Sequence, residues 1–326
     1  MKQVIAPEID VHLGPDDLAA ALRSDIRDGL TSTPKDLPPK WLYDAAGSDL
    51  FDQITRLPEY YPTEAERSIL LRDAPDIVAR AQADTVVELG SGTSDKTRAL
   101  LDAAMAAGTL ERFIPFDVSE SFLRDAALML AERYPGVQVH GVVGDFDRHL
   151  DQLPPGGRRL VMLLGGTIGN YPPIERKGFL TDIVRGLQSG DHVLLGTDLI
   201  KDIARMEVAY DDPQGLTAAF AKNVLAVINR ELDASFDLDA FEYVSRWDPD
   251  NEWIDMGLRS RWDQLVAVDA LDLVVPFAKG ELMRNEVSTK FDPHSFTDEL
   301  AAVGLDVVEW YRDDAGDFGV SLSVVR

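Results

Sequence analysis

The chain has 326 residues, enough at roughly 150 residues per domain for two domains or for one large α/β domain with an insertion. Hydrophobic residues make up 45% and charged residues 27%, ordinary globular usage that excludes a disordered or fibrous protein. The 57 acidic against 32 basic residues leave a net charge of −25, a field that repels phosphate backbones and anionic lipid heads, so neither nucleic acid nor membrane is an expected partner. There is no cysteine, which excludes disulfides, thiolate metal sites and cysteine nucleophiles and agrees with a cytoplasmic location.

Met1 to Asp10 contains no apolar run of signal-peptide length, so no export signal is expected. The longest apolar stretch, Leu160 to Gly166, is far shorter than the roughly 18 residues needed to span a bilayer. A Pro-rich passage, Thr33 to Lys40, separates a leading helix from the rest. From Asp84 to Thr197 short apolar runs alternate with helical patterns, the signature of a parallel sheet wound with helices. The expected strands are Thr85 to Leu89, Arg112 to Asp117, Val137 to Val143, Arg159 to Leu164 and His192 to Thr197. Lys96 to Ala106 and Phe122 to Arg133 are among the intervening helices. After Lys201 the rhythm changes to helices over Ile203 to Tyr210 and Leu216 to Glu231, then to alternating runs at Phe241 to Trp247 and Trp253 to Val268, as an inserted region would. A helix over Pro293 to Val303 and strands Leu305 to Tyr311 and Gly319 to Val325 then complete the first sheet with an antiparallel hairpin, making that domain discontinuous.

The first of these strands runs into Glu88-Leu89-Gly90-Ser91-Gly92-Thr93-Ser94, and a helix is expected to begin near Asp95. Glycines there let backbone amides approach a ligand. The dinucleotide fingerprint needs a third glycine where Asp95 stands, so a nicotinamide cofactor loses ground. Glu88 instead suits a ligand with a cationic amino-acid portion, such as S-adenosylmethionine. Asp117 ends the second strand where ribose hydroxyls are usually held. Asp145-Phe146 ends the third, where an aspartate can accept from an adenine amino group and the ring can pack on the base. Each feature alone also reads as a tight turn or a strand-end polar residue. Their joint occurrence favours a methyl-donor site.

Other motifs carry less. Asp317-Phe318-Gly319 matches a kinase metal motif without its companions and reads as a hairpin turn. His12, His140, His149, His192 and His294 have no paired helical spacing and there is no Gly-x-Ser-x-Gly elbow, so no metal and no serine chemistry are expected. The acidic run Asp237 to Glu242 lacks the central glycine of a calcium loop and reads as a solvated strand face.

Several further segments are distinctive: Pro38-Pro39-Lys40-Trp41-Leu42-Tyr43-Asp44, Gly47-Ser48-Asp49-Leu50-Phe51 and Leu57-Pro58-Glu59-Tyr60-Tyr61-Pro62-Thr63, then Gly165-Gly166-Thr167-Ile168-Gly169-Asn170, Gly196-Thr197-Asp198 and Asn285-Glu286-Val287-Ser288. With the glycine loop they give nearly the whole chain a resemblance to the S-adenosylmethionine-dependent histidine N-alpha-methyltransferases, which make hercynine, the first intermediate of ergothioneine biosynthesis. The resemblance implies a Rossmann-like class I methyltransferase domain with a mixed seven-stranded sheet over 63–200 and 290–326, and an α+β substrate domain over 1–62 and 201–289. It places Gly90, Ser91, Lys96, Asp117, Asp145 and Phe146 on the cofactor, and Tyr60, Asn170 and Tyr210 on the carboxylate and α-amino ends of the amino acid. By the same resemblance Tyr43, Phe51 and Thr167 are expected to line that pocket, Glu286 and Ser288 to read the imidazole, and Met256 to form an apolar wall beside them. One departure is Gly257, where the family often carries tryptophan.

The residues support that chemistry independently. If Glu281 to Lys290 is a strand, its period of two puts Glu286 and Ser288 on one face, where a carboxylate and a hydroxyl can engage both ring nitrogens; a surface carboxylate and a strand serine are the plainer alternative. The implied reaction is in-line transfer of the sulfonium methyl to the neutral α-amine of L-histidine, three times, by a monomer. Tyr43 and Asn170 are assigned to the reacting amine, with Tyr43 orienting it or relaying its proton. The rivals are methylation of another small amino acid or amine, a nicotinamide-dependent oxidoreductase, and a binding protein without turnover.

Overall fold

The computed structural model describes residues 4–92, 94 and 96–326. The expectations that fall on Thr93, on Asp95 and on Met1 to Gln3 lie outside the described residues. In chain order the strands are β1 (Glu8–Val11), β2 (Thr85–Leu89), β3 (Arg112–Asp117), β4 (Gln138–Val143), β5 (Arg159–Leu163), β6 (His192–Asp198) and β7 (Phe241–Asp248). They continue with β8 (Trp253–Ser260), β9 (Gln264–Val268), β10 (Leu273–Phe277), β11 (Leu282–Thr289), β12 (Leu305–Arg312) and β13 (Phe318–Val325).

The chain divides into two units, the first made of the segment ending at Gly14, Pro62–Leu199 and Phe291–Arg326, the second of Pro15–Tyr61 and Ile200–Lys290. In the first, one sheet runs β1-β4-β3-β2-β5-β6-β13-β12. The pairs from β4 to β6 are parallel, whereas β13 is antiparallel to β6 and β12 to β13. Seven of these strands give the mixed order of a Rossmann-like class I methyltransferase. The eighth corrects the expected count: β1 adds in parallel to the β4 edge, pairing Glu8 with His140 and Val11 with Val143. For the same reason the residues around β1 belong to the first unit and not, as expected, to the second.

The central strands are buried on both faces, which is why they read as continuous apolar runs. Val86, Phe113, Leu160, Met162 and Leu194 face one cluster, and their neighbours Val87, Ile114, Val161, Leu163 and Leu195 face another. Burying one such side chain contributes about 1.5–3 kcal/mol. The helix expected near Asp95 spans Arg98–Ala107 and ends on Gly108, whose φ of 72° makes a left-handed cap.

The second unit packs helices Pro15–Thr31, Ala45–Ile54 and Leu216–Leu232 with an antiparallel sheet, β11-β8-β7, and the hairpin β10-β9. Phe220, Val224, Leu225, Ile228 and Leu232 form the apolar stripe of the long helix, and they share a core with Leu258, Val266, Phe277 and Met283. The alternating runs at Trp253 to Val268 are two strands, β8 and β9, and the acidic run Asp237 to Glu242 is a strand face only at its end: Asp237 caps a helical turn, Leu238–Ala240, and β7 begins at Phe241.

Candidate active site

In the first unit the chain turns sharply after β2. Gly90 and Gly92 have φ of 71° and 47°, a region glycine enters without strain. The amides of Gly90 and Ser91 donate to Phe116 O at 2.9 and 3.1 Å, tying the turn to β3. Asp117 accepts from Gly92 N at 2.9 Å and Ser119 N at 3.0 Å, so its carboxylate sits against the loop; burial pushes its pKa up. Glu88 is buried, and its two oxygens accept from Ser94 Oγ at 2.8 Å and from Thr97 Oγ1, so it holds the loop from within. Burial lifts its pKa to about 7 against the opposing hydrogen bonds of Thr97 and Ser94.

Two features leave this loop suited to a ligand. Among the described residues Ser91 Oγ, which is buried, has no hydrogen-bond partner, and a side chain placed on Gly92 would meet none of them within 4 Å. Asp145 is buried at the end of β4, caps the short helix Phe146–His149 and accepts from Asp147 N at 3.0 Å. The Phe146 ring lies 6.4 Å from Phe116 and 5.8 Å from Phe179, with one edge 3.7 Å from where a Gly90 Cβ would stand. Lys96 is ion-paired with Glu66, a residue that sequence patterning did not single out. Glu66 also accepts from Gly165 N at 2.8 Å, beside Thr167, whose Oγ1 donates to Leu164 O at 2.9 Å. Asn170 ends the short turn Thr167–Asn170 that follows Gly165 and Gly166, which have φ of 79° and 72°.

The second unit gathers the remaining candidates. The Tyr43-Asp44-x-x-Gly47 motif is built for positioning: Asp44 caps the helix Ala45–Ile54 by accepting from Gly47 N at 2.8 Å and from Asn223 Nδ2 at 2.7 Å. Gly47 is obligatory, since a Cβ there would lie 1.7 Å from Leu42 O. Tyr43 and Phe51 thereby meet edge to face at 5.4 Å, and both pack on Phe220, at 5.1 and 5.7 Å. Phe51 reaches Tyr60 at 6.2 Å, and Tyr60 reaches Tyr210 at 6.0 Å. Phe220 completes this aromatic wall; on the sequence it reads only as part of a core helix.

On β11, Glu286 and Ser288 stand two apart in regular register, opposite Met256 and Ile254 of β8. The register shifts just before, between Arg284 and Glu286. Gly257 lies at that irregularity: a Cβ there would sit 2.6 Å from Met283 O, which explains why glycine stands where a large side chain was expected. Met256 is buried beside Met206, Ile254, Tyr210 and Tyr243. Ser288 Oγ and Tyr210 Oη are 2.9 Å apart, and Tyr243 Oη donates to Tyr210 O at 2.7 Å. Lys290, only 1% exposed, donates to Ser288 Oγ at 2.6 Å and to Tyr210 Oη at 2.9 Å, and its ammonium lies 4.1 Å from the Tyr210 ring centre. Sequence reading missed Lys290 because lysine at a strand end is usually a surface residue. Tyr43 keeps 38% of its surface exposed, yet its hydroxyl is desolvated. That desolvation, then the charge of Glu286, and the neighbouring Tyr60 and Tyr210, push its pKa well above the usual value.

The sheet order and the glycine loop define a Rossmann-like class I methyltransferase. A family model described as "Histidine-specific methyltransferase, SAM-dependent" matches residues 22–325. The chain belongs to this histidine-specific, S-adenosylmethionine-dependent methyltransferase family. It is 58% identical to the histidine N-alpha-methyltransferase of Mycolicibacterium smegmatis, across 96% of this chain and 98% of that one. It is 55% identical to the enzyme of the same name from Mycobacterium tuberculosis, across 96% and 97%. A 4-dimethylallyltryptophan N-methyltransferase from Epichloe festucae var. lolii is 28% identical, across 89% of this chain and 90% of that one.

Proposed function

We propose that this protein transfers three methyl groups to the α-amino group of L-histidine, giving hercynine for ergothioneine biosynthesis. When bound, S-adenosylmethionine supplies a methyl group already activated as a sulfonium. The chain's own residues therefore have mainly to align the amine, a contribution that reaches roughly 7–11 kcal/mol in well-oriented systems. Gly90, Ser91, Lys96, Asp117, Asp145 and Phe146 are assigned to the cofactor; the unpartnered Ser91 hydroxyl and the open side of Gly92 support that assignment.

The observation that carries the substrate reading is the polar face of β11, with Glu286 and Ser288 in one register and Met256 opposite. A carboxylate accepts an imidazole N–H while a hydroxyl donates to the other ring nitrogen. An apolar amino acid would forgo the hydrogen bond to the Glu286 carboxylate, a charge-assisted contact that contributes about 1.5–3 kcal/mol. Tyr60, Tyr210 and Asn170 are assigned to the carboxylate and α-amino ends, with Phe51 and Thr167 lining their surroundings. Tyr43 stays protonated at neutral pH and so acts by orienting the amine, not as its base. A monomer in the cytoplasm, without metal, nucleic-acid or membrane partners, completes the reading.

A second reading, methylation of another amino acid or amine on the same framework, draws on the relative whose name specifies a tryptophan derivative. Mass spectrometry of the protein with S-adenosylmethionine and each of the twenty amino acids separates the two. Gains of one, two and three methyl groups on histidine alone are expected; methylation of a different amino acid in place of histidine would transfer the assignment to the second reading.

A further inference from the structure

We infer that Glu66 is a positioning residue for the methyl donor, holding Lys96 and Gly165 in place and cancelling the Lys96 charge beside the donor's sulfonium. The inference rests on the assignment of Lys96 to the cofactor. Glu66 lies on the helix Tyr61–Ala81, and its side chain is 0% exposed. A carboxylate so deep is tolerated only when paired. It is ion-paired with Lys96 Nζ, and Gly165 N donates to its oxygens at 2.8 and 3.0 Å. The fit leaves no freedom: a Cβ on Gly196 of β6 would stand 2.0 Å from Glu66 Oε1. One carboxylate thus joins a helix, the segment after the glycine loop and the turn leading to Thr167 and Asn170.

The charge argument is specific to this ligand. S-adenosylmethionine carries a sulfonium, an α-ammonium and a carboxylate, for a net charge of about +1, whereas the demethylated S-adenosylhomocysteine has lost the sulfonium charge and is about neutral near pH 7. An uncompensated ammonium would repel the first more than the second. An ammonium has three donors, and with one given to Glu66 it still serves a ligand carboxylate as a hydrogen-bond donor. Glu66 therefore lets Lys96 bind the donor's carboxylate without opposing its sulfonium.

Isothermal titration of the full chain with both ligands tests this. Glu66→Gln should weaken S-adenosylmethionine more than S-adenosylhomocysteine, changing the ratio of their affinities on the order of tenfold. Lys96→Met leaves the carboxylate uncompensated and should shift the ratio the opposite way while weakening both ligands. The double variant, which removes both charges of the pair together, should return the ratio to the parent value. Circular dichroism checks the fold of each variant, and the Lys96→Met arm keeps the test decisive if Glu66→Gln does not fold. Lys96→Met leaving both affinities unchanged would refute the assignment of Lys96 to the cofactor. Both ligands weakened with an unchanged ratio would leave that assignment standing and overturn the role given to Glu66.

Discussion

Ser288 accepts a hydrogen bond from the buried ammonium of Lys290 over 2.6 Å, two residues along the same stretch of chain. The ammonium also donates to Tyr210 Oη, which lies 2.9 Å from Ser288 Oγ. Because an ammonium only donates, one hydroxyl hydrogen bridges the two oxygens and the other is left to point elsewhere. The pair thus offers one donor, the complement of an imidazole nitrogen lone pair, while Glu286 offers only acceptors if ionised.

Ser288→Ala removes an acceptor from a buried cation, so it should destabilise the fold by about 1–3 kcal/mol. It should also raise the Kd for histidine while leaving that for S-adenosylmethionine within about twofold, or about 0.4 kcal/mol. Urea unfolding and titration calorimetry read the two effects separately. Histidine binding unchanged in a folded Ser288→Ala protein would remove Ser288 from the imidazole site.

Tyr43 gives a pH test. Desolvation and the nearby Glu286 charge hold its hydroxyl protonated well past the ordinary tyrosine pKa of about 10. Tyr43→Phe should lower kcat yet keep the shape of the kcat/KM profile between about pH 7 and 10. Loss of a titrating limb in that range would make Tyr43 a base after all.

How much of this was legible in the sequence follows from the range of each interaction. The buried strands β2 to β6 announce themselves as apolar runs because both faces are covered. β1 does not: Glu8-Ile9-Asp10-Val11 is short and largely exposed, and only its pairing with the distant β4, Glu8 with His140 through Val11 with Val143, makes it a strand. The polar face of β11 is visible as period-two spacing, whereas its support is not. Lys290 is placed by a helix residue 80 positions earlier, and Glu66 by partners 30 and 99 positions later. The hydrogen bonds that Glu88 accepts from Ser94 and Thr97, six and nine positions later, are likewise invisible in the spacing of the glycine loop.

Asn170 belongs to the first unit, on the turn Thr167–Asn170, near enough in sequence to the Glu66-bound Gly165 to share its placement. Asn170→Ala should weaken histidine binding about tenfold or more, the loss of a hydrogen bond to a charged group, and leave S-adenosylmethionine binding within about threefold. Titration of both ligands decides, and a fall in cofactor affinity alone would reverse the assignment.

Gly257 sets the register from which Glu286 projects. A methyl group there would lie 2.6 Å from Met283 O and 3.2 Å from Arg284 Cα, backbone atoms that cannot swing aside. Gly257→Ala should therefore force β8 and β11 apart at the irregularity before Glu286, costing about 1–3 kcal/mol as overpacking does. Histidine KM should rise with it, while S-adenosylmethionine affinity holds. Parental stability and KM in this variant would show that the strands absorb the methyl group without moving Glu286.

Glu88 makes stability depend on pH. Its pKa is about 7 in the folded protein, against an ordinary value of 4.5, because burial penalises the charged form more than Thr97 and Ser94 favour it. Between these values the folded chain keeps a proton that the unfolded chain has released. Stability contributed by the protonated group is complete below pH 4.5 and is lost as the pH rises through about 7. Glu88→Gln retains a side chain able to pair with both hydroxyls and carries no charge at any pH. The variant should match the parent at about pH 4 and exceed it at about pH 8, by on the order of 3 kcal/mol. Asp117, which burial shifts in the same direction, is common to both proteins and cancels in the difference. Urea unfolding of the two proteins across this range measures that difference directly; curves that stay parallel from pH 4 to 8 would mean that Glu88 folds and unfolds with the same proton affinity.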